Sequence, residues 1–182
     1  MLLPIVQYGD PILRKQCRAI ESVDTEIEEL AKNMIETMAD ANGVGLAAPQ
    51  IGVDMRIAVV DVSHDPECVS YLKVNGEDAE IADIMPLVFI NPDLEFGEEK
   101  DTELEGCLSI EGIRYDVRRP MDVKAILPQL DGTTLVIETD GLLSRALQHE
   151  IDHLNGVLFT DRLSAVGKVS VKNRLKRLLP KG

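Results

Sequence analysis

The chain has 182 residues, which fits one compact domain and leaves no length for a second. Apolar residues make up 45% of it and Trp is absent, so Leu, Ile, Val and Met must fill the core. A formal net charge of −13 argues against nucleic-acid binding by the chain as a whole, and three cysteines in no paired spacing argue against a disulfide framework.

Pro4 and Gly9 interrupt the apolar residues at the N-terminus and no basic run precedes them, so no signal peptide is expected. No apolar stretch approaches the ~20 residues of a membrane span. The cytoplasm is the expected compartment. Asp10 and Pro11 predict a short helix over 11–18. Asp24 opens a second helix to about Ala41, with Ile27, Leu30, Ala31, Met34, Ile35 and Met38 at three- and four-residue steps and Gly43 as its stop. Arg56–Val62 is expected as a buried strand. Residues 61–105 hold 14 acidic and 2 basic side chains, a net of −12. Within them, 63–84 is weakly patterned and expected to be an acidic inserted loop or mobile hairpin tip. Strands are expected at Leu87–Asn91, Ile113–Arg118, Val123–Pro128 and Thr133–Thr139, with Asp131-Gly132 turning between the last two. Asp140 should cap a helix through Leu154 that Gly156 ends. The tail, 168–182, combines Val171, Leu175, Leu178 and Leu179 with the basic residues Lys168, Lys172, Arg174, Lys176, Arg177 and Lys181. Segregated strands and helices give an α+β class.

Chemistry concentrates on the helix after Asp140. Gln148-His149-Glu150-Ile151-Asp152-His153 is an HExxH motif, and residues four apart share a helical face, so both imidazoles can reach one ion. Glu150 projects beside them, placed to take a proton from water. A catalytic metal usually has three protein ligands. No His follows His153, and His64 lies in the acidic segment, which directs attention to Cys107 in Glu105-Gly106-Cys107-Leu108-Ser109. A thiolate suits zinc or ferrous iron, and Gly106 lets the backbone pass close to a neighbouring element.

Gly43-Val44-Gly45-Leu46-Ala47-Ala48-Pro49-Gln50 is a third small-residue segment. The three segments in this order resemble the signature of the peptide deformylases, from about Tyr8 to Leu163. The resemblance implies mixed or antiparallel β-sheets around a central helix carrying HExxH. It implies an enzyme that removes the formyl group from the N-terminal methionine of nascent chains and releases formate. It implies Cys107, His149 and His153 as ligands of one divalent ion, Fe2+ in the cell with Zn2+ or Ni2+ as substitutes. Glu150 would be the acid/base, and Gln50 with the Leu108 backbone N–H would stabilise the oxyanion. Val44, Gly45, Gly106 and Arg114 would contact the substrate, Arg145 and Ala146 would wall the methionine pocket, and Glu105 would accept from a ligand histidine. The expected partners are N-formylmethionyl nascent peptides and, through the basic tail, the ribosome, with no membrane and no specific DNA binding. Glu111 stands where many relatives have Pro. Two other readings remain at this point: an HExxH endopeptidase with a different third ligand, and an inactive ribosome-associated binding module.

Overall fold

The computed structural model describes residues 1–181. In chain order the elements are α1 (Thr25–Asp40), β1 (Gly45–Ala47), β2 (Ile57–Val60), β3 (Leu72–Val74), β4 (Glu77–Asp78), α2 (Ile81–Ile84), β5 (Leu87–Ile90), β6 (Asp93–Phe96), β7 (Lys100–Cys107), β8 (Ile110–Pro120), β9 (Val123–Pro128), β10 (Thr134–Thr139), α3 (Gly141–Leu154) and α4 (Ala165–Leu178). The strand ladders are antiparallel and form sheets ordered β1-β2-β5, β4-β3-β10-β9-β6 and β7-β8.

The architecture follows from β2. All four of its side chains are buried. Successive side chains of a strand point to opposite faces, so Ile57 and Val59 join one apolar cluster while Ala58 and Val60 join another. Burial on both faces is why this run is continuously apolar. The first cluster is closed by α1, whose Ile27, Ala31, Met34 and Met38 are buried. Asp24 caps that helix by accepting from the Ile27 N–H at 3.0 Å. The left-handed stop falls on Asn42 (φ 54°), one residue before the expected Gly43. The second cluster is closed by α3, whose Leu143, Leu147, Ile151 and Leu154 recur at four- and three-residue steps. Val123, Ala125, Leu127 and Ile137 of the five-stranded sheet pack on the same cluster, so α3 lies between two sheets and is the expected central helix.

Residues 63–84 are not a free loop. They supply β3 and β4, joined through Asn75 and Gly76 at positive φ, and β3 pairs with β10. Leu72 and Ile81 are buried in the α3 cluster. Asp140, expected to cap α3, instead accepts from Ser70 N at 2.8 Å and from the Ser70 hydroxyl, so it anchors this segment. The first turn of α3 leaves no room there: a Cβ on Gly141 would run into the Cys68 carbonyl. The predicted 11–18 helix is a single 3-10 turn, Pro11–Arg14, because the chain then leaves to bond Cys17 N to Leu154 O at 2.9 Å. β6, β7 and the first residues of β8 were not expected as strands. α4 packs Val171, Leu175 and Leu178 into a third cluster with Val117 of β8 and Phe159, leaving its basic residues outward.

Candidate metal centre

The two histidines and the cysteine come from different elements. His149 and His153 lie one helical turn apart on α3, and Cys107 ends β7. The β7–β8 register slips between Gly106 and Cys107, an irregularity of the kind that re-aims a side chain at a site. Cys107 Sγ lies 3.3 Å from His153 Nε2, which lies 3.2 Å from His149 Nε2. The three donor atoms fall within 4.8 Å of one another, and His153 is buried.

Those spacings suit a cation. Bonds of about 2.0 Å to nitrogen and 2.3 Å to sulfur around a tetrahedral ion set donors roughly 3.3–3.6 Å apart. Electrostatics agrees. For His149, burial opposes the charge, but hydrogen bonds to Cys107 and Glu105 outweigh it and hold the imidazole well above its ordinary value. For His153, burial and then the charge of His149 push the pKa well below it. Two cationic rings cannot share so small a volume; one divalent ion can replace the protons that three packed donors would otherwise divide. The chain therefore holds a Cys/His cluster able to bind a metal ion, as the sequence spacing predicts.

Glu105 fixes one of the two imidazoles. Its Oε1 lies 3.1 Å from His149 Nδ1, which leaves Nε2 for the cluster. Burial alone would raise the Glu105 pKa, but hydrogen bonds from His149 and Arg119 lower it to about 2. The carboxylate also accepts a two-pronged Arg119 guanidinium (2.6 and 2.9 Å) and Arg145 Nη1 (3.0 Å). Arg145 lines the cleft beside Ala146, but its charge is committed inward, to Glu105, to Asp101 at 2.7 Å and to the Val117 carbonyl at 3.0 Å.

Glu150 is buried, with Oε2 lacking a hydrogen-bond partner. Burial pushes its pKa up to about 7, the charge on His149 pulling the other way. Gln50 is held by its own loop: Ala47 N–H donates to its Oε1 at 2.9 Å, so its amide nitrogen must face Cys107 Sγ at 3.5 Å and Ser109 Oγ at 3.2 Å. The N-terminal segment ties this corner together, with Val6 N bonded to Gln50 O, Gln7 Nε2 to Leu108 O and Tyr8 N to Ser109 O.

These groups open onto a cleft of about 770 Å³ lined by Val44, Gly45, Gln50, Gly106, Cys107, Leu108, Arg114, Ala146, His149 and Glu150 among others. The structure brings together all the residues expected at the site. Arg114 is exposed at the rim, and its stem lies over Gly106, where a Cβ would sit 3.1 Å from Arg114 Cγ. Asp65, from the acidic segment, also lines the cleft. His64 does not; it is exposed beside Asp65. Sequence reasoning missed Arg119, Asp152 and Ser109. Asp152 was visible as an acid inside the motif helix, whereas no spacing connects Arg119 to its partners.

The chain is similar to known proteins over nearly its whole length. The family model described as polypeptide deformylase matches residues 2–169. The peptide deformylase of Methylacidiphilum infernorum is 44% identical over 178 residues, covering 98% of this chain and 93% of the relative. That of Agrobacterium fabrum is 45% identical over 162 residues, 88% of this chain and 86% of the relative. Among solved structures, a plant peptide deformylase superposes with a TM-score of 0.82 at 34% identity, covering 97% of this chain and 88% of that one. The Legionella pneumophila peptide deformylase gives 0.80 at 34%, covering 97% and 95%.

Proposed function

The chain belongs to the polypeptide deformylase family, and from that premise we propose how its own residues remove the N-formyl group from nascent peptides. It is a metal-dependent hydrolase of that family, which sets aside the endopeptidase and the inactive binding module. We take the whole chain as one catalytic domain working in the cytoplasm; no helix among the described residues is long and apolar enough to cross a membrane.

Cys107, His149 and His153 would hold the ion, which we take to be Fe2+ in the cell with Zn2+ or Ni2+ as substitutes. When bound, that ion supplies Lewis-acid activation of water and carbonyl. Glu150 takes the proton of the attacking water. Water oxygen bonds to the formyl carbon and charge develops on the carbonyl oxygen. Gln50 Nε2, held facing the cluster by Ala47, and the Leu108 N–H receive that charge, a contribution of several kcal/mol when donors are preorganised. Glu150 then hands its proton to the departing amine as the C–N bond breaks, giving formate and a free N-terminus.

β1 pairs with β2 on one edge only, so the peptide can add along its other edge at Val44 and Gly45. Gly106 and Arg114 face the same strand of substrate, while Ala146 and the stem of Arg145 wall the methionine side chain. Outward Lys172, Arg174, Lys176 and Arg177 on α4 are suited to transient docking on ribosomal phosphate.

The observation that carries this reading is the grouping of Cys107, His149 and His153 within 4.8 Å beside a buried Glu150. The test is formate release from formyl-Met-Ala-Ser. Glu150→Gln should keep its metal and lose about 10²–10⁴ in rate. Near-wild-type turnover in that metal-replete variant would remove Glu150 from the mechanism.

A further inference from the structure

The metal donors are divided between α3 and a hairpin that shares no strand ladder with the other sheets. β7 and β8 pair only with each other. Something besides backbone hydrogen bonds must therefore hold Cys107 at a fixed distance from His149 and His153. Polar contacts tie hairpin and helix from both sides: Arg145 of α3 reaches Glu105, Asp101 and the Val117 carbonyl, Gln148 reaches the Pro120 carbonyl, and one buried arginine of the hairpin reaches back to α3. Arg119, on β8, is 2% exposed. Its Nε and Nη2 grip Glu105 of β7, and its Nη1 donates to Asp152 Oδ2 of α3 at 2.9 Å. Asp152 is held from its other side by Arg162 at 2.8 and 3.1 Å. Glu105 in turn holds His149 Nδ1.

On α3, His149 and Asp152 lie three residues apart on one stripe, so the guanidinium touches that stripe directly at Asp152 and through Glu105 at His149. A guanidinium can do this because its donors form a rigid planar fork; an ammonium cannot satisfy two carboxylates with the same fixed geometry. We propose that Arg119 is a positioning residue for the metal centre, one that sets the placement of Cys107 relative to the two imidazoles by locking the β7–β8 hairpin to α3. The inference rests on the assignment of Cys107, His149 and His153 as ligands. A purely structural ion pair would alter stability alone; a positioning residue must also change how the folded protein binds its ion.

The test is a titration of metal-free full-length protein with Co2+, read by the thiolate charge-transfer and d–d absorption bands, with thermal unfolding alongside. Wild type should give a one-to-one complex that Cys107→Ala abolishes. Arg119→Lys, which keeps the charge and loses the fork, should bind Co2+ about 10- to 100-fold more weakly with altered bands, as loss of an outer partner of a ligand does. Asp152→Asn leaves Arg119 on Glu105 and weakens its tie to α3, together with the Arg162 contact on the same side chain. It should shift affinity in the same direction and serves if Arg119→Lys does not fold. Folded Arg119→Lys, or Asp152→Asn in its place, with wild-type affinity and spectrum would overturn the proposal alone. Absence of a one-to-one complex in wild type would overturn the ligand assignment, and this proposal with it.

Discussion

A methyl group on Gly45 should be enough to displace Glu150, the proposed catalytic base. A Cβ built there would lie 2.5 Å from Glu150 Oε1, 2.7 Å from Cγ and 2.8 Å from Cδ. Ordinary contact begins near 3.4 Å, so something must yield by roughly 0.9 Å. β1 is poorly able to yield. Gly45 is paired with Val60, and Leu46 and Ala47 are fully buried. Glu150 must therefore move. Misplacing a reacting group by about 1 Å can cost around 10²-fold in rate, or close to 3 kcal/mol in the barrier. The overpacking should cost ~1–3 kcal/mol in stability. The assay is kcat and KM on formyl-Met-Ala-Ser with metal content measured on the same sample. Gly45→Ala should retain its metal and lose about 10²-fold in kcat. Gly43→Ala is the control, since its Cβ would meet the end of the flexible Leu108 side chain at 2.8 Å and should cost far less. Metal-replete Gly45→Ala with kcat within a few-fold of wild type would refute the reasoning. A rise confined to KM would assign Gly45 to the substrate rather than to the base.

Cys107 should govern oxidation: the Fe2+ form should lose activity in air faster than the Ni2+ or Zn2+ form, and equal loss of all three would count against a thiolate on a redox-active ion. Leu72→Ala should cost about 2–5 kcal/mol in urea unfolding, because the acidic segment is packed into the α3 cluster, and a cost under ~1 kcal/mol would restore the expected picture of an inserted loop or mobile hairpin tip. Charge reversal at Lys172, Arg174, Lys176 and Arg177 should weaken ribosome co-sedimentation at low salt and spare hydrolysis of a free tripeptide. Unchanged co-sedimentation, or none in wild type, would dispose of ribosome docking.

Where one face or both of a segment is buried, the sequence is readable. α1 declares itself by a cap and a periodic stripe, β2 by a run buried on both sides, α3 by leucines at core spacing. β7 does none of this. Its Lys100, Asp101, Glu103 and Glu105 leave no alternating apolar face, because the strand is held by β8 and by side-chain ions rather than by a core. The acidic segment misleads for a related reason. Its charges face water, Leu72 and Ile81 are buried, and Val69, Val74, Ala79 and Ile84 pack only partly buried against the same cluster, so its apolar signal follows no single period. Asn75-Gly76 was a legible hairpin turn within it, of the type that forces positive φ at both residues.

The site divides along the same line. Ligand spacing on one helix is a local property, so His149, Glu150 and His153 can be found by counting. The supports of the site are not local. Arg119 reaches Glu105 across 14 residues and Asp152 across 33. Asp140 sits at the expected helix start and yet serves Ser70, 70 residues away, because the returning segment brings its own unsatisfied donors to that end of α3. A motif therefore identifies the groups proposed to touch the ion. Burial supplies what the motif lacks. Arg119 and Glu105 are both almost fully enclosed, and charges in such a setting persist only when each is matched by fixed partners. Once Cys107 and the histidines are placed on separate elements, a matched set of buried charges between those elements is what a rigid centre requires. Arg119, Glu105, Asp152 and Arg145 are the residues that meet the requirement here.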